Sequence, residues 1–288
     1  MNGGAGRRTA AIVVNYESGS ALARCVADLA RCGLDAIMVV DNGSIDGSLA
    51  TSVVASPGFG IVDPGKNLGY GAAVNRGAAA TSSEFLLVCN PDLEVPLGAV
   101  EALAGVLVAD RGVALVGPLI RTPTGERYPS ARQFPSMVDA AGHALLGIFS
   151  PNNRFTRRYQ RSELDATSDE SLYVDWVSGA CFLIRREAFE QVGGFDESFF
   201  MYLEDVDLCW RLGRAGWRVA YAPEASVVHL QGRSTDHHPY RMILEHHRSL
   251  FRFATRSSEG WSRALLPLVA VGVVVRLGLA SLAQALHR

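Results

Sequence analysis

The chain has no charge excess and no paired cysteine pattern, and each absence excludes a class of protein. Its 27 basic and 29 acidic residues leave a net charge of −2, so no overall field attracts it to nucleic acid. The five cysteines lack metal-ligand spacing and stand mostly in apolar runs, which favours reduced thiols over disulfides or structural zinc. We therefore expect no nucleic-acid partner.

Two nucleotide-binding motifs and an export signal are also missing. The first apolar run is followed by NYESGS rather than G-x-G-x-x-G, and G-x-x-x-x-G-K-[ST] occurs nowhere in the sequence. These absences argue against a dinucleotide oxidoreductase and against a P-loop ATPase. Two arginines precede the run Ala10 to Val14, but this run is too short for a signal-peptide core, so we interpret it as a first strand.

Short apolar runs alternate with helical stretches through the first half of the chain. The runs predict strands over 10–14, 37–40, 60–62, 85–89 and 113–116, and helices near 21–31, 48–54, 71–80 and 97–109. Such alternation predicts an α/β fold with a mostly parallel, twisted sheet and helices on both faces. The length allows one such domain of about 230 to 250 residues and an appendage.

Acidic turns follow two of the predicted buried strands. Asp41-Asn42-Gly43-Ser44 comes after the second strand, and Asn90-Pro91-Asp92 comes after the fourth. Open α/β sheets bind their ligands at the carboxyl ends of such strands. A third acidic group, Glu204, Asp205 and Asp207, opens a predicted helix that runs to about Leu212. These carboxylates either cap the helix or supply a catalytic base, and we expect Asp207 to be the capping residue.

The segment from 118 to about 161 is rich in arginine, aromatic and turn residues, and two interpretations are open. Its arginines would grip phosphates and its apolar centre would touch lipid, or it is a solvated loop over a small satellite helix. The residues concerned are Arg132, Arg154, Arg157, Arg158 and Arg161, with Leu145, Leu146, Ile148 and Phe149 in the apolar centre.

Six short motifs follow one another along the chain. They are VVNY (13–16), DNGSIDGS (41–48), NLGYGAAVNRG (67–77), NPD (90–92), WVSGACFLIRR (176–186) and VGGFDESFFMYLEDVDLCWRLGRAGW (192–217). In this order they resemble glycosyltransferase family 2, whose members have the GT-A fold and invert the anomeric centre. The resemblance covers about residues 10–253 and implies a sugar transfer from a nucleotide to an acceptor.

The resemblance also implies the catalytic and metal-binding residues. Asp205 is expected to be the general base, and Glu204 is expected to orient the acceptor or the base. A divalent cation, Mg²⁺ or Mn²⁺, is expected on Asp92 and His229, although a histidine at the end of a strand is also a common structural residue. Family members usually carry an acidic residue where Asn90 stands. We therefore expect the cation to bind well only with the donor diphosphate, which suits Mg²⁺.

Two further sets of residues are assigned by the same resemblance. The nucleotide-sugar donor is expected to contact Asn15, Tyr16, Asp41, Asn42, Lys66, Asn67, Asn75, Asn90 and Asp92. Asn67 and Asn75 are equally good turn and cap residues. The acceptor is expected to contact Trp176, Ser178, Gly179, Tyr202, Arg132, Arg157 and Arg158. Trp176 is either a core aromatic residue or a platform for a sugar ring.

Within the family, the run 117–136 together with FMYLEDVDL (200–208) resembles the branch that builds actinobacterial cell walls. That branch transfers L-rhamnose from dTDP-L-rhamnose to polyprenyl-diphospho-N-acetylglucosamine. The resemblance thus implies a dTDP-rhamnose donor and a lipid-linked polyprenyl diphosphate acceptor, and it is compatible with a homo-oligomer. The alternatives are transfer of another sugar, galactofuranose or N-acetylglucosamine, and a catalytically idle GT-A domain that scaffolds other enzymes.

The end of the chain predicts contact with a membrane. A basic amphipathic stretch over 240–256 precedes an almost wholly apolar stretch over 264–286, which is interrupted by Pro267, Arg276 and Gln284. Its length would span a bilayer, but Pro267 and Arg276 favour a helix lying in the interface. The preceding basic residues favour the cytoplasmic face. We expect a GT-A domain over 1–256, divided into a nucleotide-sugar half (9–117) and an acceptor half (118–256), and a membrane-associated segment over 257–288. The histidine pairs His237-His238 and His246-His247 are interpreted as surface residues, although the second pair is also placed to face the acceptor diphosphate.

Overall fold

The computed structural model describes residues 9–52, 58–134, 172–230 and 239–286. Its strands are β1 (Thr9–Asn15), β2 (Ala36–Asp41), β3 (Phe59–Val62), β4 (Phe85–Cys89), β5 (Leu93–Glu94), β6 (Val113–Arg121), β7 (Arg127–Tyr128), β8 (Ala131–Arg132), β9 (Leu172–Val174), β10 (Trp176–Val177), β11 (Cys181–Arg185) and β12 (Arg218–His229). Its α-helices are α1 (Ser20–Arg31), α2 (Tyr70–Ala79), α3 (Ala99–Ala109), α4 (Arg186–Gln191), α5 (Glu204–Arg214), α6 (Pro239–Ser257) and α7 (Leu266–Leu286).

The large sheet has the order β3-β2-β1-β4-β11-β6-β12-β5. Its first four strands are parallel, β11 runs antiparallel between β4 and β6, and β6 and β12 are again parallel. This arrangement confirms the mostly parallel α/β sheet. Because β1, β2 and β4 are parallel neighbours, their carboxyl ends meet at one edge, where Asn15 lies opposite Asp41 in the strand register.

Helices cover both faces of the sheet and bury two apolar clusters. One cluster contains the buried faces of α1 and α3, and the other contains those of α2 and α5. All five cysteines are buried and free, as their apolar surroundings predict. Gly77 permits the close approach of α2 to the sheet, because a Cβ there would lie 2.5 Å from Ile12 and 2.9 Å from Val40.

Two predicted elements differ from the structure. In place of a helix over 48–54, the described residues form a 3-10 turn at Leu49–Thr51. The hydroxyl of Ser48 accepts a hydrogen bond from Asn15, which fixes the loop against the sheet instead of leaving it free to propagate a helix. The helix predicted over 97–109 begins at Ala99, because Gly98 before it has a φ of 88° that does not continue a helix.

The two C-terminal helices pack in succession against the α/β domain. Helix α6 packs on α5, and α7 packs on α6 through a small cluster of Ala254, Val269 and Val273. Pro267 is the second residue of α7, a position where proline is tolerated, so it does not interrupt the apolar helix as the sequence suggested.

The apolar stretch Gly260–Leu286 is long enough to cross a membrane, and its most apolar 18-residue window has a mean hydropathy of 2.2. Its outer face is exposed in the folded chain, with Val274 67 % and Leu282 57 % exposed. This exposed apolar face is typical of a helix that contacts lipid.

Candidate active site

Asn15 organises the edge where β1 and β2 end. Its Nδ2 lies 2.8 Å from Asp41 Oδ1 and within 3.0 Å of the hydroxyl oxygens of Ser44 and Ser48. Asn15 is fully buried, so its amide holds the Asp41 loop in place and is not exposed to a ligand. Contact between Asn15 and the nucleotide stays a prediction, and in this structure the amide of Asn15 binds the Asp41 loop.

A second pair of asparagines joins this loop to the one before α2. Asn42 Nδ2 donates to Asn67 Oδ1 at 3.0 Å, and Asn42 Oδ1 accepts from the backbone N–H of Leu68 at 2.8 Å. Tyr16, directly after β1, is half-buried, and Lys66, in the loop before α2, is exposed. The structure thus brings Tyr16, Asp41, Asn42, Lys66 and Asn67 to one edge, where they form the candidate donor edge.

Asn75 belongs to a different contact. Its amide donates to the backbone oxygen of Phe195 at 2.9 Å and accepts from the backbone N–H of Phe195 at 2.9 Å. A further hydrogen bond joins it to Glu197. These contacts attach α2 to the loop that leads toward α5, which is a structural role for Asn75, and its contact with the donor stays a prediction.

The predicted metal ligands lie side by side. His229 at the end of β12 is the register partner of Leu93 in β5, which places its Nε2 3.1 Å from Asp92 Oδ1. Asn90 Nδ2 lies 3.3 Å from the same ring nitrogen. His229 Nδ1 is buried and has no hydrogen-bond partner among the described residues.

This pair fits a divalent cation only in part. A carboxylate oxygen and an imidazole nitrogen are suitable ligands, and both point to one place. In the part of the chain that the structure describes, no group of three or more acidic, histidine or cysteine side chains is placed to hold a metal ion. A cation bound here would thus take its other ligands from water or from a donor diphosphate.

Helix α5 carries the acidic group that the sequence singled out. It begins at Glu204, directly after Tyr202 and Leu203, whose φ angles of 67° and 61° are both in the left-handed region. Two successive non-glycine residues in this region are strained, and such strain is found at functional sites. The turn places Asp205 against the segment between β10 and β11, where its carboxylate contacts Gly179.

Asp205 is fixed by backbone hydrogen bonds. Its Oδ2 accepts from Gly179 N–H at 2.7 Å, and its Oδ1 accepts from Val206 N–H at 2.8 Å. Burial raises the pKa of the Asp205 carboxyl above its ordinary range, although these hydrogen bonds and the charge of Arg132 act in the opposite direction. A carboxylate with a raised pKa is a better proton acceptor than an exposed one.

Glu204 is more deeply buried, with 7 % of its surface exposed. Its Oε2 is buried and has no hydrogen-bond partner within the described residues. Burial, followed by the negative charge of Asp205, raises the pKa of Glu204 to about 8. Glu204 therefore holds a proton at neutral pH, and the two carboxyl groups titrate as a pair.

Asp207 does not cap α5 as predicted. It is 0 % exposed, and its two oxygens accept hydrogen bonds from Arg211 at 2.7 Å and from Arg256 at 2.7 Å. The helix begins at Glu204, and Leu203 at its N-cap position provides no side-chain cap. Asp207 faces the interior at its position in the first turn, so arginines and not backbone N–H groups neutralise it.

The segment Gly179–Ala180 connects the turn at Asn90 to Asp205. Asn90 N–H donates to the oxygen of Ala180 at 2.8 Å, next to Gly179, which holds Asp205. The hydroxyl of Tyr70 donates to the oxygen of Gly179 at 2.6 Å. A Cβ on Gly179 would lie 3.2 Å from the Asp205 carboxylate, so glycine allows this close contact.

The predicted acceptor residues divide into three groups. Trp176 is half-buried, and the guanidinium of Arg132 lies 5.3 Å from its ring centroid, so one face of the indole is already covered. Ser178 and Gly179 border Asp205, and Tyr202 packs edge-on to His246 at 5.3 Å between ring centroids. Outside the described residues lie Arg154, Arg157, Arg158, Arg161, the apolar residues 145–149 and the pair His237-His238.

Comparison with known proteins agrees with this geometry. Residues 10–193 match the family described as glycosyl transferase family 2, and residues 148–282 match glycosyl transferase family group 2. The chain belongs to glycosyltransferase family 2. It is 40 % identical over 268 residues to the N-acetylglucosaminyl-diphospho-decaprenol L-rhamnosyltransferase of Mycobacterium tuberculosis, which covers 88 % of this chain and 86 % of the relative.

Solved structures show the same fold at low sequence identity. The mannosyltransferase PcManGT of Pyrobaculum calidifontis, in complex with GDP-Man and Mn²⁺, aligns with a TM-score of 0.57 at 17 % identity. That alignment covers 96 % of this glycosyltransferase and 75 % of the other chain. GalNAc-T7 with UDP, GalNAc and Mn²⁺ aligns with a TM-score of 0.60 at 18 % identity and covers 78 % of this chain and 44 % of the other.

Sequence reasoning about this glycosyltransferase missed two residues of the site. Tyr70 stands inside the NLGYG motif, so the motif itself was a signal, but its hydroxyl contact with Gly179 needed the fold. Arg256 stands in a basic amphipathic helix, where arginines are expected on the solvent side. Nothing in the sequence marks it as the partner of Asp207.

Proposed function

We propose that this glycosyltransferase transfers L-rhamnose from dTDP-L-rhamnose to polyprenyl-diphospho-N-acetylglucosamine, with inversion at the anomeric carbon. This step would belong to assembly of the arabinogalactan linker of the cell wall. The observation that carries the proposal is the Gly179–Ala180 segment, which ties the turn before Asp92 to Asp205. Similarity to the L-rhamnosyltransferase of Mycobacterium tuberculosis supports the sugar and the acceptor.

The proposed chemistry is a single displacement. The acceptor hydroxyl oxygen bonds to the anomeric carbon, the bond from that carbon to the diphosphate oxygen breaks, and dTDP leaves. Asp205 takes the hydroxyl proton, because its carboxylate has a raised pKa and an orientation fixed by Gly179. Glu204 carries its own proton at neutral pH and is proposed to orient the acceptor by hydrogen bonding.

Asp92 and His229 are the residues that would hold the divalent cation. When bound, Mg²⁺ or Mn²⁺ would neutralise the negative charge that develops on the leaving diphosphate. Asn90 lies beside the imidazole, where its amide fixes the ring and adds no charge. The pair is therefore expected to depend on the donor for tight metal binding.

The membrane is proposed to bring the enzyme to its lipid acceptor. Helix α7 presents an exposed apolar face, and the arginines of α6 precede it, which favours the cytoplasmic face. Because Pro267 only begins the helix, the continuous apolar length of α7 supports a span as well as an interfacial position. A homo-oligomer stays compatible with this arrangement.

Incubation of the full-length enzyme with a panel of nucleotide sugars, Mg²⁺ or Mn²⁺ and polyprenyl-diphospho-N-acetylglucosamine tests the proposal. We expect mass analysis to show a lipid product heavier by one deoxyhexose with dTDP-L-rhamnose alone. A lipid product that carries galactofuranose or N-acetylglucosamine would show that the donor is another nucleotide sugar. Absence of both transfer and donor hydrolysis would identify an idle scaffold domain.

A further inference from the structure

Asp207 is a fully buried carboxylate that the proposed chemistry does not use. It lies in the same first turn of α5 as Glu204 and Asp205, so its position fixes the position of theirs. Two guanidinium groups neutralise it from different directions, Arg211 from α5 itself and Arg256 from α6. A buried carboxylate without these partners would be strongly unfavourable.

Arg256 bridges two carboxylates on different elements. Its Nη1 donates to Asp207 Oδ1 at 2.7 Å, and its Nη2 donates to Asp196 Oδ2 at 2.5 Å. Asp196 lies before the strained turn, and Asp207 lies after it. The planar guanidinium therefore sets the separation between the two sides of the turn, which a point charge does not do.

Two other side chains of α6 contact the segment that leads into the strained turn. Arg252 donates to the backbone oxygen of Ser198, and Ser249 Oγ donates to the backbone oxygen of Met201 at 3.0 Å. The next two residues are the left-handed pair Tyr202 and Leu203. Helix α6 thus holds residues 196–201, the segment that ends where the strained backbone begins.

Arg211 completes the arrangement from the other side. It donates to the backbone oxygens of Val192 at 2.7 Å and Gly194 at 2.8 Å, while its Nε donates to Asp207. The loop before the turn and the helix after it are therefore both attached to Asp207. Arg256 is the member of this network that comes from the C-terminal part of the chain.

We propose that Arg256 is a positioning residue of the active site, which acts through Asp207 and Asp196 to hold Glu204 and Asp205 in their reactive orientation. Helix α6 is then a clamp on the catalytic turn and not only a connection to the membrane helix. The inference rests on the proposed function, because it assigns the reaction to these two carboxyl groups.

Arg256→Gln in the full-length enzyme tests the inference, with Arg248→Gln as the matched control. Arg248 is on the same helix, with 61 % of its side chain exposed, and it pairs with Glu245 within α6. We expect Arg256→Gln to lower kcat about 10- to 100-fold, the scale of a small misplacement of reacting groups, with the KM for the nucleotide sugar unchanged within about threefold. Arg256→Lys should recover part of kcat, because an ammonium group satisfies one carboxylate but not both.

A second effect separates positioning from folding. Loss of the clamp should displace the acidic limb of the pH profile of kcat, because the environment of the Glu204 and Asp205 pair changes. Hydrogen exchange should accelerate at the amides of residues 199–207 in Arg256→Gln and stay unchanged in Arg248→Gln. If Arg256→Gln does not fold, Asp196→Asn removes one contact of Arg256 while Asp207 stays paired, and a smaller fall in kcat is expected.

The inference is overturned if folded Arg256→Gln keeps the kcat and the pH profile of Arg248→Gln. It is also overturned if its whole loss of rate equals the loss of folded protein measured by circular dichroism. If the wild-type enzyme transfers no sugar at all, the proposed function fails, and the hydrogen-exchange comparison still decides whether Arg256 holds the turn.

Discussion

The donor edge and the turn at residues 202–205, here called the carboxylate turn, both contain buried polar groups. They are stabilised in opposite ways. At the donor edge, Asn15 binds Asp41 and Asn42 binds Asn67, so the amides and carboxylate of neighbouring loops satisfy one another. At the turn, Glu204 keeps an unpartnered buried oxygen among the described residues, and the backbone before it is strained.

This difference shows which contacts determine the geometry of the donor edge and which determine that of the carboxylate turn. The donor edge is complete without a ligand, because its hydrogen bonds are made among strand-end loops of one sheet. The carboxylate turn is unfavourable by itself and depends on contacts from α6, far along the chain. Strain and perturbed pKa values concentrate where chemistry is done. Four predictions test the contrast, beginning with the largest expected effect.

The Asp205→Asn variant should separate chemistry from donor binding. We expect its turnover to fall at least ~100-fold, because a positioned general base is lost, while dTDP binds as in the wild-type enzyme. Transfer assays and calorimetry measure the two quantities. Asp110→Asn removes a carboxylate that pairs with Arg218 outside the site and should leave both unchanged. Near-native turnover of Asp205→Asn would remove this residue from the mechanism.

Metal and donor should bind cooperatively. With two protein ligands, Asp92 and His229, the free enzyme should bind Mn²⁺ weakly, and dTDP should tighten binding at least ~10-fold because linkage is reciprocal. Calorimetric titrations with and without dTDP measure the difference, which Asp92→Asn should abolish. Equal metal affinity in the two titrations would contradict the shared site.

Glu204 should make the stability of the enzyme depend on pH. Its pKa in the folded state is about 8, above the ordinary value of 4.5, so the folded state binds the proton more tightly than the unfolded state. The favourable contribution is present below the ordinary pKa and is lost as pH rises toward the folded value. Relative to Glu204→Gln, the wild-type Tm should fall by at least ~2 °C between about pH 5 and about pH 9. Glu101→Gln, an exposed change on α3, should show no such trend.

Removal of α7 should have the smallest effect on chemistry. Truncation before Ala264 deletes a helix whose buried contacts are confined to the cluster with Ala254, while α6 keeps its hold on the turn. We expect the truncated protein to leave the membrane fraction and to retain transfer to a short-chain, water-soluble acceptor within about threefold. Full partition to membranes, or a folded but inactive truncated protein, would show that α7 belongs to the catalytic core.

Much of the fold was predictable because buried parallel strands are continuous apolar runs. The predicted strand over 85–89 matches β4, and those for β1 and β2 differ from the structure by single residues at their ends. The predicted helix over 48–54 was wrong, because a hydrogen bond from Asn15 to Ser48 competes with helix formation. Local sequence carries no record of such a partner.

The site was predictable where a residue type has a local chemical signature. The resemblance paired Asp92 with His229, and the structure places them 3.1 Å apart. Asn15 and Asn75 lie in the motifs VVNY and NLGYGAAVNRG, but their amides make hydrogen bonds within the protein. A motif identifies which residues matter, and hydrogen-bond partners decide whether each contacts a ligand or another residue.

The sequence by itself determined the α/β layers, the acidic turns at the strand ends, the family and the apolar C-terminal helix, because periodicity and motifs are local properties. Only the tertiary structure decided that Asp207 is neutralised by Arg256 and that Glu204 Oε2 is buried without a hydrogen-bond partner among the described residues. Burial and ion pairing depend on which distant segments meet. Burial and ion pairing set the pKa values and the orientation of the Glu204 and Asp205 carboxyl groups. Both properties are therefore fixed only when the chain folds and α6 packs against the turn.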